Sequence, residues 1–313
     1  MNNLENEKIV NYLVICNKAG RKFTSEPDNR WGGLMEPDPS ENPDKKDAGL
    51  RVVLFASWDF GFLVLETLEE YEKEFPGQLN IVGLVTDNPL NPDAKISLKK
   101  RVWSLLDQSS RVIDETFVIE SALSDGIPVY SGEVKVESFH RIIEKWNPEA
   151  ILVCVFGQIL DSFIINFPRY GIYNFHPSDL SKHLGAGPSP YTDLAERHAG
   201  TTVWSVHHIT GEVDGGEVVG KSPPVNVLDV KGDLPGNPLV VYNKLAEALS
   251  PLAFFLVKEL ERNFELNKPG RIDHIDFDKL IPDNIKTRIM QPVTRELWTD
   301  ILAIPDDFLF KPG

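Results

Sequence analysis

From Arg51 onward, short uninterrupted apolar runs alternate with amphipathic stretches of helical period, and this alternation constrains the fold more than any other feature. The apolar runs have the length of buried strands, and they are "RVVLFA", "LNIVGLVTD", "IPVYSG", "EAILVCVFG" and "GIYNFH". The segments between them, 59–75, 114–126, 136–147 and 158–168, carry apolar residues at helical spacing. Because such strands are buried on both faces, we predict an α/β fold with a mostly parallel, doubly wound sheet and helices on both faces.

The patterning divides the chain into three predicted regions. Residues 1–50 form an N-terminal extension, in which "NYLVICN" suggests a short strand and 21–50, rich in Pro, Gly, Asp and Glu, predicts an irregular arm. Residues 51–225 form the main domain, and "TTVWSVHHIT" and "GEVVGKSPPVNV" predict an antiparallel hairpin appended to its sheet. Residues 226–313 form a C-terminal helical extension with an irregular tail, where Pro251 is expected to kink or break a helix over 238–263.

Charge and cysteine content limit the partners and the compartment. The chain has 47 acidic and 32 basic residues, a net charge of -15, which disfavours nucleic acid as the main partner. Its 2 cysteines are too few for a disulfide framework. The N-terminus lacks the pattern of a secretory signal, and no run approaches the ~20 apolar residues of a membrane span. We therefore expect a cytoplasmic protein that does not enter a membrane.

Ligands of parallel α/β sheets bind at the carboxyl ends of the strands, and three segments of this sequence end there. The first, "LFASWDFG", lacks the G-x-G-x-x-G pattern, which argues against a dinucleotide. The second, "VFGQIL", has a glycine that lets the backbone approach a ligand closely, although a glycine there is also ordinary turn chemistry. The third is "YNFHPSDL".

Asn174 and His176 lie two residues apart in a predicted strand, so both side chains point to the same face. An amide and an imidazole side by side can both donate hydrogen bonds to a carbonyl oxygen that becomes negative. The alternative is structural, with Asn174 capping the strand and His176 at the surface. These two residues alone do not decide between the two interpretations.

Asp214 favours the chemical interpretation. It lies in the turn "GEVDGGEVV", where a carboxylate can be directed inward from the end of a hairpin. A carboxylate against His176 would orient and charge the imidazole, or would accept a proton from an attacking amine. The alternative is an ordinary turn aspartate beside glycine.

A cluster of histidines raises the question of a metal. Five of the 7 histidines fall within 33 residues: His176, His183, His198, His207 and His208. No H-E-x-x-H or Cys-x-x-Cys pattern accompanies them, and His207 and His208 would face opposite sides of a strand. We therefore predict no metal site.

Four segments together resemble the folate-dependent formyltransferase family, over roughly residues 51–225. They are "VVLFASWDFGFLVLETL", "VFGQIL", "GIYNFHPSDL" and "GTTVWSVHHITGEVDGGEVVG", and they occur in the family's order. The resemblance implies a Rossmann-like formyltransferase fold and direct transfer of a formyl group from 10-formyltetrahydrofolate to an amine. It also implies a catalytic role for Asn174, His176 and Asp214, the first two stabilising the oxyanion and the third orienting His176 and moving the proton.

The same resemblance assigns binding residues. Those implied for the folate are Phe156, Gly157, Gln158, Ile159 and Leu160 in one loop and Val213, Gly215 and Gly216 in another. Those implied for the acceptor are Ser178, Lys182, His183, Trp58 and Asp59.

Two departures from the family pattern bear on the acceptor. Where the family has a basic loop containing Arg-Gly, this chain has "DLSKHLGAGPSP", and the basic C-terminal barrel of the tRNA enzymes is not evident in 226–313. With the net charge, these departures favour a small amine, such as a nucleotide-linked amino sugar, over initiator tRNA. Three alternatives stay open: a formyltetrahydrofolate deformylase using water, a methionyl-tRNA formyltransferase and a non-catalytic folate-binding protein. A homodimer through the hairpin or the C-terminal helix is compatible with the sequence.

Overall fold

A nine-stranded mixed sheet organises the part of the chain that the computed structural model describes, which is residues 21–25, 28, 32–43, 45, 47–86, 118–182 and 190–275. Its strands in chain order are β1 (Lys22–Ser25), β2 (Gly33–Glu36), β3 (Leu50–Ala56), β4 (Leu79–Thr86), β5 (Val129–Ser131), β6 (Ala150–Cys154), β7 (Ile172–His176), β9 (Ser205–His208) and β10 (Val218–Lys221). Their order across the sheet is β1-β2-β5-β4-β3-β6-β7-β9-β10. A second, two-stranded antiparallel sheet pairs β8 (Thr201–Thr202) with β11 (Val225–Asn226).

The centre of the large sheet is parallel, as the apolar runs predict. Strands β5, β4, β3, β6 and β7 all run in the same direction. Strands β9 and β10 follow β7 in antiparallel order, which confirms the predicted hairpin at that side of the sheet. The carboxyl ends of β3, β6 and β7 therefore meet at one edge, since Ala56 pairs with Cys154 and Cys154 with Phe175.

Helices cover both faces of the sheet. They are α1 (Trp58–Glu74), α2 (helical over 118–124 within the described residues), α3 (Glu137–Trp146), α4 (Ser162–Asn166), α5 (Pro190–Glu196) and α6 (Pro238–Glu265). Alternate residues of β3 enter two different apolar clusters, Leu54 joining α1, α2 and α6 and Phe55 joining α3 and α4. Both faces are thus buried, as in the doubly wound class.

The prediction of an irregular arm over 21–50 is wrong in part, because β1 and β2 form an antiparallel hairpin that extends the large sheet. Strand β2 pairs with β5 through Leu34 and Tyr130, so the hairpin continues the sheet of the main domain. Arg21, whose side chain is 3% exposed, is paired with Glu41 and with Glu120 of α2. These strands carry little apolar periodicity of their own, and β5, with which β2 pairs, is distant in sequence. The strand predicted at "NYLVICN" lies outside the described residues.

Pro251 does not break the C-terminal helix, which runs continuously over Pro238–Glu265. A proline inside a helix costs about 3 kcal/mol. Burying one leucine side chain contributes about 2 kcal/mol, and the flanking Leu249, Leu252 and Leu256 are all buried. The helix segment Val240–Glu265 is long and apolar enough to cross a membrane by length and composition alone. An 18-residue window within it has a mean hydropathy of 1.3, and 61% of that window is buried inside the fold. It is the helix that packs along α1.

Candidate functional site

Strand β7 brings Asn174 and His176 to the face on which β9 carries His207. In the register of these two antiparallel strands, Asn174 lies opposite His207. Tyr173 and His208 share the other face, where their ring centroids are 4.8 Å apart. The strand alternation deduced from the sequence is therefore present in the structure.

Asp214 reaches over this face from the loop between β9 and β10. Its Oδ2 lies 3.3 Å from Nε2 of His176, and its Oδ1 lies 3.6 Å from Nε2 of His207. The backbone of Asp214 is left-handed, with φ of 52°, a conformation that aspartate tolerates. Gly216 allows the loop to fold back, because a Cβ there would lie 1.7 Å from the carbonyl oxygen of His208.

His207, considered in the sequence only as a metal ligand, is a further member of this cluster. Its Nδ1 lies 2.9 Å from the carbonyl oxygen of His208, and a carbonyl only accepts, so Nδ1 carries the proton. Burial lowers the pKa of His207 to about 4, despite the opposing effect of Asp214, so the ring is neutral near pH 7. Its Nε2 then has a lone pair and makes no ion pair with Asp214.

The protonation of His207 orients the neighbouring amide. Asn174 Nδ2 lies 3.0 Å from Nε2 of His207 and donates to its lone pair. The nitrogen end of the Asn174 amide therefore faces His207. The lone pair on Nε2 determines this orientation, because distances alone do not distinguish the amide nitrogen from the amide oxygen. The second N–H of Asn174 has no other hydrogen-bond partner among the residues that the structure describes, so it is available as a donor.

The predicted acceptor residues are only partly described. Ser178 is 2% exposed and its hydroxyl lies 2.8 Å from Nδ1 of His176, so it faces the histidine. The exposed ammonium group of Lys182 lies 3.1 Å from Oδ2 of Asp179. His183 lies outside the described residues, and Trp58 and Asp59 begin α1 with side chains that are not described. Contact of these residues with a substrate stays a prediction.

The first predicted folate loop follows β6. Val155, the residue just before it, has a left-handed φ of 52° that is strained for a β-branched residue, and such strain often accompanies ligand sites. Gln158 ties this loop to the one after β5, since its amide accepts from the backbone of Val134 and donates to the carbonyl of Gly132. Ile159 stays 60% exposed.

The second predicted folate loop carries Asp214 itself. Val213 is 66% exposed, and Gly215 and Gly216 follow the aspartate in the return to β10. Within the described ranges no group of three or more His, Cys, Asp or Glu residues could hold a metal ion. The predictions about folate contacts and metal are not tested by these observations.

The low pKa of His207 predicts a loss of stability in mild acid. In the unfolded chain this histidine binds a proton near pH 6.5, whereas in the folded protein it does so only near pH 4. The unfolded state therefore takes up the proton first as the pH falls, and the stability that neutral His207 contributes at pH 7 is lost between these values, by about 3 kcal/mol.

Urea unfolding at pH 7, 5.5 and 4.5 measures this effect. We expect His207→Asn to flatten the pH dependence of the free energy of unfolding, and the matched His198→Asn, at an exposed histidine with a left-handed backbone, to leave it unchanged. If the free energy of unfolding changed equally with pH in the wild-type protein and in the His207 variant, the low pKa of His207 would be contradicted.

Comparison with known proteins finds a family domain in the middle of the chain. Residues 79–234 match the model of the formyl transferase family. A methionyl-tRNA formyltransferase of Dictyoglomus turgidum is 33% identical over 141 residues, which cover 44% of this chain and 38% of that protein. One from Agathobacter rectalis is 31% identical over 176 residues, covering 55% and 49%. The chain thus spans less than half the length of each of these relatives.

A solved structure shows the same fold at low identity. The crystal structure of phosphoribosylglycinamide formyltransferase from Anaplasma phagocytophilum is 18% identical, covers 69% of this chain and 88% of its own, and superposes with a TM-score of 0.50. The matched family segment includes Asn174, His176, His207 and Asp214. The chain thus carries a formyl transferase domain over residues 79–234.

Proposed function

We propose that this protein transfers a formyl group from 10-formyltetrahydrofolate to the amine of a small molecule, and that the acceptor is a nucleotide-linked amino sugar. The observation that carries the proposal is the convergence of an amide, an imidazole and a carboxylate on one face of the sheet. Asn174, His176 and Asp214 lie within one connected cluster with His207. This set combines hydrogen-bond donors for a developing oxyanion with a base for a proton.

Each residue has a role in this proposal, with the folate supplying the formyl group. As the amine nitrogen bonds to the formyl carbon, Asn174 donates its second N–H and His176 its Nε2–H to the formyl oxygen, which becomes negative. Asp214 accepts the proton that the attacking amine loses and passes it to the folate nitrogen as its bond to the formyl carbon breaks. In the same step the oxygen reforms its double bond to carbon, and its lone pair replaces the electrons that leave with the folate nitrogen.

The two loops beside the cluster are suited to a flat heterocycle. The described chain leaves four large hydrophobic side chains exposed, and two of them, Ile159 and Val213, lie in the predicted folate loops. Apolar side chains lining a concave site are typical of small-ligand binding, with a few polar groups for orientation. These exposed side chains support folate as the donor.

A second lysine supports an acceptor that carries phosphate. Lys221 of β10 pairs with Ser205 of β9, and Ser205 pairs with His176 of β7. The three residues therefore lie in one row across the sheet, with their side chains on the same face. At the usual spacing of neighbouring strands, the Cα atoms of Lys221 and His176 are about 10 Å apart. Its ammonium group lies 3.2 Å from Asp179 and 2.8 Å from Ser181. With Lys182 on the other oxygen of Asp179, the group has a net charge of +1.

This local charge contrasts with the -15 of the whole chain. A nucleotide-linked sugar has its phosphates a few bonds from its amine, so it can span the row from His176 to Lys221. Methionyl-tRNA, the acceptor in the names of the two relatives, is the competing acceptor here. The overall charge disfavours it, because a nucleic acid is bound mainly through its phosphates. The buried free thiol of Cys154 is compatible with the cytoplasm as the compartment.

The test is to mix purified protein with 10-formyltetrahydrofolate and follow the release of tetrahydrofolate by absorbance. Separate reactions contain nucleotide-linked amino sugars, other small amines, methionyl-tRNA or no acceptor. We expect release that depends on an amino sugar. Release without any acceptor would identify a hydrolase, release only with methionyl-tRNA would replace the acceptor, and absence of both release and folate binding would overturn the proposal.

Once an acceptor is identified, Lys221→Gln tests the phosphate contact. We expect the KM for a phosphate-bearing acceptor to rise about tenfold, since one charge-assisted hydrogen bond contributes ~1.5 kcal/mol or more, while kcat changes little. The matched control is Lys231→Gln, at an exposed lysine in the loop after β11. Steady-state kinetics with an equal KM for both variants would contradict the contact.

A further inference from the structure

His176 has a buried hydroxyl on the side of its ring away from Asp214. Ser178 Oγ lies 2.8 Å from Nδ1, whereas the carboxylate of Asp214 lies 3.3 Å from Nε2. The backbone N–H of Ser178 also donates to the carbonyl of His176, at 2.9 Å, so the turn after β7 folds back on the histidine. The ring is therefore held at both nitrogens.

The chemistry of these partners determines where the proton of the imidazole lies. A carboxylate only accepts, so the contact with Asp214 is favourable when Nε2 carries a proton. In the neutral ring Nδ1 then has a lone pair, and the hydroxyl of Ser178 is placed to donate to it. When the ring carries both protons, the same hydroxyl turns and accepts from Nδ1–H, because a hydroxyl can do either.

We infer that Ser178 is a positioning residue that holds neutral His176 as its Nε2–H tautomer. In the formyl transfer proposed above, on which the relevance of this inference to catalysis rests, that tautomer directs an N–H toward Asp214 and the formyl oxygen. The family resemblance implies a contact of Ser178 with the acceptor. Its burial and its contact with His176 favour the positioning role instead.

Ser205 fixes Ser178 in turn. Its hydroxyl donates to the carbonyl of Ser178, at 2.6 Å, and accepts from the backbone N–H of Leu180, at 3.2 Å. Ser205 is fully buried on β9 and lies opposite His176 in the register. Ser205 of β9 thus holds the turn at Ser178 and at Leu180. The position of the Ser178 hydroxyl is therefore fixed by β7 and β9, the two strands that carry His176 and His207.

The experiment is nuclear magnetic resonance of protein labelled with ¹⁵N at histidine, because two-bond ¹⁵N–¹H correlations distinguish the two neutral tautomers. We expect the Nε2–H tautomer of His176 in the wild-type protein. In Ser178→Ala we expect the Nδ1 resonance to shift and both tautomers to be populated, and in Ser178→Thr we expect the wild-type pattern. An Nδ1–H tautomer in the wild-type protein, or an unchanged spectrum in the alanine variant, would overturn the inference.

Kinetics provide the second measurement. Ser178→Ala should lower kcat about 10- to 100-fold, the effect of losing one hydrogen bond of about 1.4 to 2.7 kcal/mol, with KM for both substrates within about twofold. Ser40→Ala, at an exposed serine of the N-terminal extension, is the control and should retain full activity. A rise in KM with kcat unchanged would favour the acceptor contact and contradict the positioning role.

The two measurements separate this inference from the proposed function. The tautomer is determined without folate or acceptor, so it is tested even in a protein that transfers no formyl group. A wild-type protein that has the Nε2–H tautomer but no transferase activity would overturn the function and leave the role of Ser178 on the ring standing. If Ser178→Ala does not fold, the wild-type spectrum and Ser178→Thr still decide the matter.

Discussion

Replacing Asp214 by asparagine is expected to lower kcat/KM for formyl transfer by about a thousandfold or more, because proton transfer by a positioned group contributes ~10² to 10⁴ and orientation of the histidine is lost as well. Asparagine has nearly the same shape and also tolerates the left-handed backbone at this position, where φ is 52°. Its amide cannot take the proton of the attacking amine. The fold should therefore survive while the chemistry fails.

The measurement is steady-state formyl transfer together with circular dichroism and the midpoint of thermal unfolding. Glu212→Gln is the matched control, since it removes one negative charge from an exposed position two residues away in the same loop. We expect this control to retain wild-type activity. An Asp214→Asn variant with more than a tenth of wild-type kcat/KM would rule out the proposed role of the carboxylate.

Replacing Glu69 by glutamine is expected to stabilise the protein strongly in mild alkali. Glu69 lies on α1, is 5% exposed, and has Ser121 of α2 at 3.4 Å. Burial, with a further contribution from the charge of Asp125, raises the pKa of its carboxyl group from 4.5 to about 8. The folded protein therefore keeps a proton that the unfolded chain releases, and stability falls as the pH rises from 4.5 to 8, by at most about 5 kcal/mol.

Glutamine cannot ionise, so the stability of the variant does not fall in this way as the pH rises. Chemical unfolding should give equal stabilities for wild type and Glu69→Gln at pH 4.5, and a more stable variant at pH 9, by several kcal/mol and at most about 5. The control is Glu70→Gln, the next residue of the helix, whose carboxylate is paired with Lys73 at 3.8 Å. We expect no comparable pH dependence there. A difference in stability between wild type and Glu69→Gln that does not change with pH would show that the carboxyl group of Glu69 ionises in the folded protein as it does in the unfolded chain.

The centre of the fold and part of the site are predictable from local patterns. The parallel strands β3 to β7 are mostly apolar because both faces of the sheet are covered, and that property is visible in a single sequence. The pairing of Asn174 with His176 follows from the two-residue repeat of a strand. Asp214 was found through its turn and through the family resemblance.

The remaining features depend on contacts between segments distant in the chain. His207 and His208 are adjacent and identical, and only the register of β9 against β7 decides that His207 faces Asn174. Lys221 enters the row with His176 through a register that includes a bulge in β10. Glu69 and Glu70 have the same local sequence context, and the packing of α2 is what buries the first of them.

The hairpin of β1 and β2 has a consequence for how this protein can be shortened. A fragment cut at Arg51, where the family resemblance begins, would lose the strand that pairs with β5 and the buried side chains of Leu34 and Met35. The amide and carbonyl groups on that side of β5 would then be open to strands of other molecules, a common origin of aggregation. The first strand pair thus covers β5 and leaves the short, largely exposed β1 as the edge of the sheet on that side, far along the sheet order from the strand that carries Asn174 and His176.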